Sequence, residues 1–144
     1  MDKEMNQAFF KIVAGGITQF AFFEENYNSI SEENKLDSSV SFTVETHKRI
    51  IKATAIANLH QSNMPVLKCV VDLVFQIKND SWDSFANRNK ILIPQELLVY
   101  FGSKAVGALR GALFAKLEQM PMHIVLPLVN LDEIITEPMV VEIH

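Results

Sequence analysis

The residues that could do chemistry in this chain are few, and their spacing argues against a reaction centre. Its four histidines, His47, His60, His123 and His144, include no pair at HExxH spacing, and the single cysteine, Cys69, completes no Cys/His set. A zinc site needs three or four such donors converging, so no metal and no cofactor are expected. His47 and His60 could face each other on neighbouring strands; solvated or hydrogen-bonded imidazoles are the alternative. No Gly-x-Ser-x-Gly elbow is present to activate a serine. Ala14-Gly15-Gly16 sits in a strand pattern. Gly102, Gly107 and Gly111 sit in a helical one without the Lys-Ser/Thr of a phosphate loop. The pairs Glu24-Glu25 and Glu32-Glu33 read as solvated loop carboxylates. These residues point to a protein that acts by binding and not by catalysis.

The 144 residues suffice for one domain with a sizeable core, and 49 % hydrophobic against 21 % charged residues excludes a disordered chain. Net charge is −4, and the densest basic cluster is Lys48-Arg49. A nucleic-acid surface needs a basic stripe, and an acidic membrane needs much the same, so neither is an expected partner. A lone cysteine inside the apolar run 66–77 fits a reducing compartment and a buried thiol. The first residues, Met1 to Gln7, show no apolar signal segment, and a cytoplasmic location is expected. Residues 97–117 approach the length of a bilayer span, but Lys104 and Arg110 near the middle each cost about 2.5–3.5 kcal/mol in lipid. That stretch reads as a helix of a soluble protein, with no membrane insertion.

Ten Phe against two Tyr and one Trp is a skewed balance, and rings without a polar handle serve as core or as anchors for an apolar partner. Residues 9–23 read as a strand bent at Gly15-Gly16, with Ile17, Gln19, Ala21 and Phe23 on one side and Thr18, Phe20 and Phe22 on the other. Residues 24–39 read as loop. Period-two alternation then gives three strands: Val40, Phe42 and Val44; Ile51, Ala53, Ala55, Ala57 and Leu59; and Leu67, Cys69, Val71, Leu73, Phe75 and Ile77. Short connections make these antiparallel neighbours. A row of alanines on one face leaves room for a helix to approach closely.

Residues 79–90 read as an irregular polar connection anchored by Trp82 and Phe85. The helix is predicted from Pro94 to Glu118, with proline in its first turn and Glu96 against its positive end. Ser103, Gly107, Gly111 and Ala115 recur every four residues and form a ridge of small side chains. Each interior glycine costs about 1 kcal/mol relative to Ala, so the ridge implies a close compensating contact. That contact is either the protein's own sheet or a second subunit. An extended segment follows through Leu131, then a helical turn over 132–136. The domain plan is a loose 1–8, a single α+β domain over 9–137 (a four-stranded antiparallel sheet followed by a long helix), and a tail over 138–144.

This order of elements resembles SecB, the bacterial export chaperone family. In SecB a long helix ends at Arg-Gly and leads into a Pro-Val-Asn-Phe segment. Arg110-Gly111 and Pro127, Val129, Asn130 and Leu131 stand in comparable places over a pattern covering residues 9–135. The chain departs in having Leu131 for the aromatic, Leu128 between Pro127 and Val129, and extra residues after Gly111, so it is similar to divergent SecB-like proteins.

The resemblance implies an ATP-independent holdase for unfolded or precursor polypeptides, assembled as a homotetramer that is a dimer of dimers. In the export chaperone, SecA is a further partner. The implied polypeptide-binding residues are Phe20, Phe22, Phe42 and Val44, with Leu126 and Leu128 beyond the helix; core packing is the alternative role of each. The ridge Ser103, Gly107, Gly111 and Ala115 is the implied oligomer interface. Two other readings remain: an oligomeric adaptor or dedicated-partner protein, for instance for an antitoxin, and a pocket protein for a small apolar ligand.

Overall fold

The computed structural model of the chain describes residues 10–30, 33–120, 122, 126 and 130–143. The long strands are β1 (Phe10–Phe22), β2 (Asn34–Glu45), β3 (Ile50–Gln61) and β4 (Met64–Ile77). Then come a short helix α1 (Asn79–Ser84), strands β5 (Ala86–Asn87) and β6 (Lys90–Ile93), the long helix α2 (Gln95–Leu117), a helical turn α3 (Leu131–Ile134) and β7 (Met139–Glu142). This is the α+β architecture that the alternation predicts, with one layer of antiparallel sheet under one long helix.

Strands β2, β3 and β4 form the expected meander, but β1 pairs with β4, giving the order β1-β4-β3-β2. The connection from β1 to β2 therefore spans the end of the sheet. It is held by the one buried polar side chain among the described residues, Gln61. The Gln61 amide donates to the Asn34 Oδ1 at 2.7 Å and to the Asn28 carbonyl at 3.2 Å, while its oxygen accepts from the Asn28 N–H at 2.8 Å. With every polar atom partnered, the burial carries no desolvation penalty left unmet.

Ile51, Ala53, Ala55, Ala57 and Leu59 of β3 and Leu67, Cys69, Val71, Phe75 and Ile77 of β4 are buried, as their alternation requires. The helix packs on β3 and β4, touches β2 less, and leaves β1 the least covered strand. The three alanines lie at 0 % exposure beneath it. At one end of this interface Phe75 and Phe101 stack with centroids 3.9 Å apart, and Phe10 meets both edge-on at 5.7 and 4.9 Å.

Several sequence expectations are corrected. Residues 34–39 are strand, because pairing with Ile56–Gln61 of a long neighbour overrides their turn-prone composition. Residues 139–142 are strand β7, paired with β6 in a second, three-stranded sheet, and not a tail. The irregularities of β1 lie beside the Gly15-Gly16 pair and not at it: the register slips between Ile12 and Ala14 and between Ile17 and Gln19. His47 lies in the β2–β3 turn and His60 near the far end of β3, so the two do not meet. Trp82 and Phe85 are buried anchors as expected. Most of the extended segment after α2 falls outside the described residues, but Met122 and Leu126 are buried.

Candidate functional site

The two register slips in β1 decide which of its side chains face the helix. Ile12 opposes Phe75, Ile17 opposes Val71, Phe20 opposes Cys69 and Phe22 opposes Leu67. Opposed residues of an antiparallel pair share a face, so Ile12, Ile17, Phe20 and Phe22 all stand on the inner side. Simple alternation put Ile17 on the opposite side from Phe20; the bulge at Thr18 reverses it.

Because α2 leans toward β2, this inner row of β1 is only partly covered. Ile12 is 55 % exposed and Ile17 43 %, while Phe20 and Phe22 are half-buried. The floor continues through Leu73, which lies so close over Gly15 that an added Cβ there would sit 2.6 Å from its Cδ2. Tyr100 stands beside Phe10, with ring centroids 5.5 Å apart, and Lys116 of α2 lies over the Phe20 ring at 5.4 Å. Lys104 covers the Tyr100 ring at 5.1 Å. The result is an apolar trough along β1, walled by α2 and bordered by two lysines whose stems can follow an apolar ligand while their heads stay in water.

The residues assigned from sequence divide between two places. Phe20 and Phe22 belong to this trough, with Phe22 also touching the Tyr27 ring at 5.8 Å. Phe42 and Val44 lie on β2, at the other edge of the sheet, with β3 and β4 between. Phe42 is wedged toward the helix, its Cζ 3.4 Å from where a Cβ on Gly102 would stand. Leu126 is 3 % exposed and packs in the core, which argues against a role on the surface, and Leu128 lies outside the described residues. Sequence reasoning missed Ile12 and Ile17, since only an apolar run of uncertain phase marks them.

The ridge Ser103, Gly107, Gly111 and Ala115 points away from the sheet, all four exposed, and Phe114 beside it is 71 % exposed. Nothing lies within 4 Å of a Cβ placed on Gly107 or Gly111. The small residues therefore do not seat α2 on its own sheet. Gly102 does: a Cβ there would meet Leu131 at 2.9 Å, Phe42 at 3.4 Å and Val40 at 3.5 Å.

Cys69 lies in the core behind Phe20. Burial pushes its thiol above the ordinary 9.0, against a smaller opposing pull from the Lys116 charge. The thiolate is the nucleophile, so labelling by a thiol reagent at neutral pH should run roughly a hundredfold or more slower in the folded protein than in denaturant, as absorbance of the released group will show. A raised thiol value also means that stability is complete below the ordinary value and declines as pH rises past it; Cys69→Ala should remove that component. Among the described residues no group of His, Cys, Asp and Glu could hold a metal ion. A cavity of about 530 Å³ near Asn34, His60 and Asn63 is lined by polar and charged residues and does not suit a small apolar ligand.

The chain has the SecB-like fold. It superposes on a SecB-like chaperone of Mycobacterium tuberculosis, solved in complex with a ChAD peptide from an antitoxin. The TM-score is 0.57 at 9 % identity, over 85 % of this chain and 89 % of that one. A protein of unknown function from Streptococcus agalactiae aligns with a TM-score of 0.42 at 10 % identity, over 85 % of this chain and 99 % of that one. No family model matches the sequence, and no curated protein does. The likeness is therefore one of fold.

Of the described helices, α2 alone is long and apolar enough to cross a membrane. Leu97, Leu98, Phe101, Leu109 and Leu113 on it are buried against the sheet, which makes it a core helix in this fold.

Proposed function

We propose that this protein is a chaperone-type binder of polypeptides, working without ATP, which holds non-native segments in the trough along β1 and catalyses no reaction. The observation that carries the reading is the row Ile12, Ile17, Phe20 and Phe22 left partly uncovered beside α2. Apolar contacts of this kind are indifferent to a client's sequence, and a long trough suits an extended chain better than a compact ligand. β1 is also a sheet edge, but its two bulges blunt that edge against strand addition, so side-chain contacts supply the binding. That a SecB-like chaperone of the same fold was solved with a peptide supports the reading.

Size exclusion with light scattering, with and without a slow-folding unfolded polypeptide, tests it. The expected result is a species that gains the client's mass; a species that ignores every unfolded chain offered removes the holdase reading. The second reading is a chaperone dedicated to one partner, favoured by the antitoxin origin of the peptide on the structural neighbour. It predicts capture of a single cognate segment and indifference to unrelated unfolded chains.

The reading includes self-association through the outward face of α2. Packing a second helix on Gly107 and Gly111 offsets the helix propensity these glycines forfeit, and Phe114 supplies an apolar contact beside them. Gly107→Ala and Gly111→Ala are then each expected to move fold stability and association in opposite directions. Each should stabilise the isolated fold by about 1 kcal/mol, because the site is sterically open, and each should weaken association. Thermal melts at low concentration, paired with light scattering at high concentration, check both. A rise in melting temperature with unchanged mass would exclude this face as the interface.

A further inference from the structure

A second site lies at the opposite end of the sheet from Gln61, where the start of β1, the end of β4 and the β2–β3 turn converge. There a cavity of about 300 Å³ has Phe10 and Ile77 as its apolar wall and Lys11, Arg49 and Lys78 as its charged lining. Gln76 adds an amide, and among the described residues no Asp or Glu lines the cavity. In a chain of net charge −4 this is a local concentration of positive charge.

Among the described residues Lys11, Arg49 and Lys78 form no ion pair. The neighbouring pairs Lys48 with Glu45 at 3.9 Å and Lys52 with Asp72 at 4.0 Å do not involve this set. Arg49 is half-buried and held in place twice over. Its carbonyl accepts from the Ile77 N–H at 2.9 Å, and its Nε donates to the Ile77 carbonyl at 3.3 Å. That anchoring uses one guanidinium N–H and leaves the terminal amines, the pair that engages an oxyanion side by side. Preorganisation of this kind lowers the ordering cost of binding.

We propose that this cavity binds an oxyanion, a carboxylate or phosphate group, carried next to an apolar group that rests on Phe10 and Ile77. The arginine fork receives the oxyanion, Lys11 and Lys78 supply the field, and the apolar wall favours ligands with an aromatic or aliphatic neighbour. The site lies at the Phe10 end of β1, away from Phe20 and Phe22, and stands whether or not the trough holds polypeptides.

The test is a backbone amide titration by NMR with two probes, inorganic phosphate and the capped dipeptide acetyl-Phe-Glu, in low salt. Saturable shifts centred on Arg49, Ile77, Lys78 and Asn79 are expected, losing strength in 0.5 M chloride. Tighter binding of the dipeptide identifies a side-chain carboxylate beside an apolar group as the ligand; tighter phosphate binding identifies a free phosphate group. The double variant Lys11→Gln and Lys78→Gln, both exposed positions, should weaken the preferred probe about three- to tenfold while leaving the spectrum folded. Arg49→Gln should abolish saturation, with circular dichroism verifying that the turn survives. Shifts scattered over all surface lysines, or an unchanged affinity in the double variant, overturn the proposal.

Discussion

Replacing Ile12 and Ile17 together by aspartate is expected to abolish measurable capture of an unfolded client while leaving the protein folded. Both side chains stand about half out of the fold already, at 55 % and 43 % exposure, so their loss should change unfolding free energy by no more than about 1 kcal/mol. Their position is the reason for the large functional effect. They occupy the middle of the inner row of β1, and two buried-on-binding aliphatic anchors carry on the order of 2 kcal/mol or more between them, about thirtyfold in affinity. Placing carboxylates there also forces an apolar client to desolvate charge. Anisotropy of a labelled unfolded peptide measures the affinity, and urea unfolding measures the fold. A matching pair at the other sheet edge, Phe42→Asp and Val44→Asp, should behave differently. These side chains pack against the core, so stability is what falls. Should the β2 pair lose binding with stability intact, and the β1 pair keep it, the trough has been placed on the wrong edge.

The second large effect is on stability alone. Phe101→Ala is expected to cost about 3–5 kcal/mol, a large part of the 5–15 kcal/mol that holds an ordinary domain together. Phe101 is fully buried, stacked on Phe75 and struck edge-on by Phe10, so its removal opens a cavity where the helix, β1 and β4 meet. Phe114→Ala, thirteen residues on in the same helix, should change the unfolding free energy of the isolated chain by no more than about 0.5 kcal/mol, because its ring is 71 % exposed. Urea midpoints of the two variants at low protein concentration check the contrast. The pair separates two classes of phenylalanine that composition alone cannot tell apart.

The source of binding in this reading is an imbalance in coverage. One helix of 23 residues cannot cap four long strands evenly, and the alanine row draws it over β3. Close approach at Gly102, where Leu131, Phe42 and Val40 crowd in, commits it further toward β2. The strand left short of cover is β1, and the same sequence that seats the helix so leaves the trough open.

Much of this was legible beforehand. The alternation assigned Val40, Phe42 and Val44 of β2, Ile51 to Leu59 of β3 and Leu67 to Ile77 of β4 to the inward face correctly, because a buried face leaves an unambiguous period of two; Leu36 and Gln61, in stretches of turn-prone composition, escaped it. Pro94 and the apolar spacing placed α2 to within a residue at each end. The burial of Cys69, Trp82 and Phe85 was likewise readable from apolar context. Of the candidate binding residues, Phe20 and Phe22 are half-buried on the inner side of β1, whereas Leu126 is packed in the core.

What the sequence determined by itself was the central part of β2, β3 and β4 with their inner faces, and the extent of α2, since these follow from local periodicity and turn chemistry. Three matters waited for the tertiary structure. The phase of β1 depended on bulges, which are chosen by pairing with β4 and leave no mark in a run as apolar as Phe10–Phe22. The position of β1 beside β4 and the addition of β7 to β6 depended on contacts between residues far apart in the chain, which local pattern does not encode. The direction of the Gly107–Gly111 ridge, away from the sheet, depended on how α2 rotates to bury Leu98, Phe101, Leu109 and Leu113. Periodicity states that a helix has a small face and a large one; only packing decides which of them the protein keeps for itself.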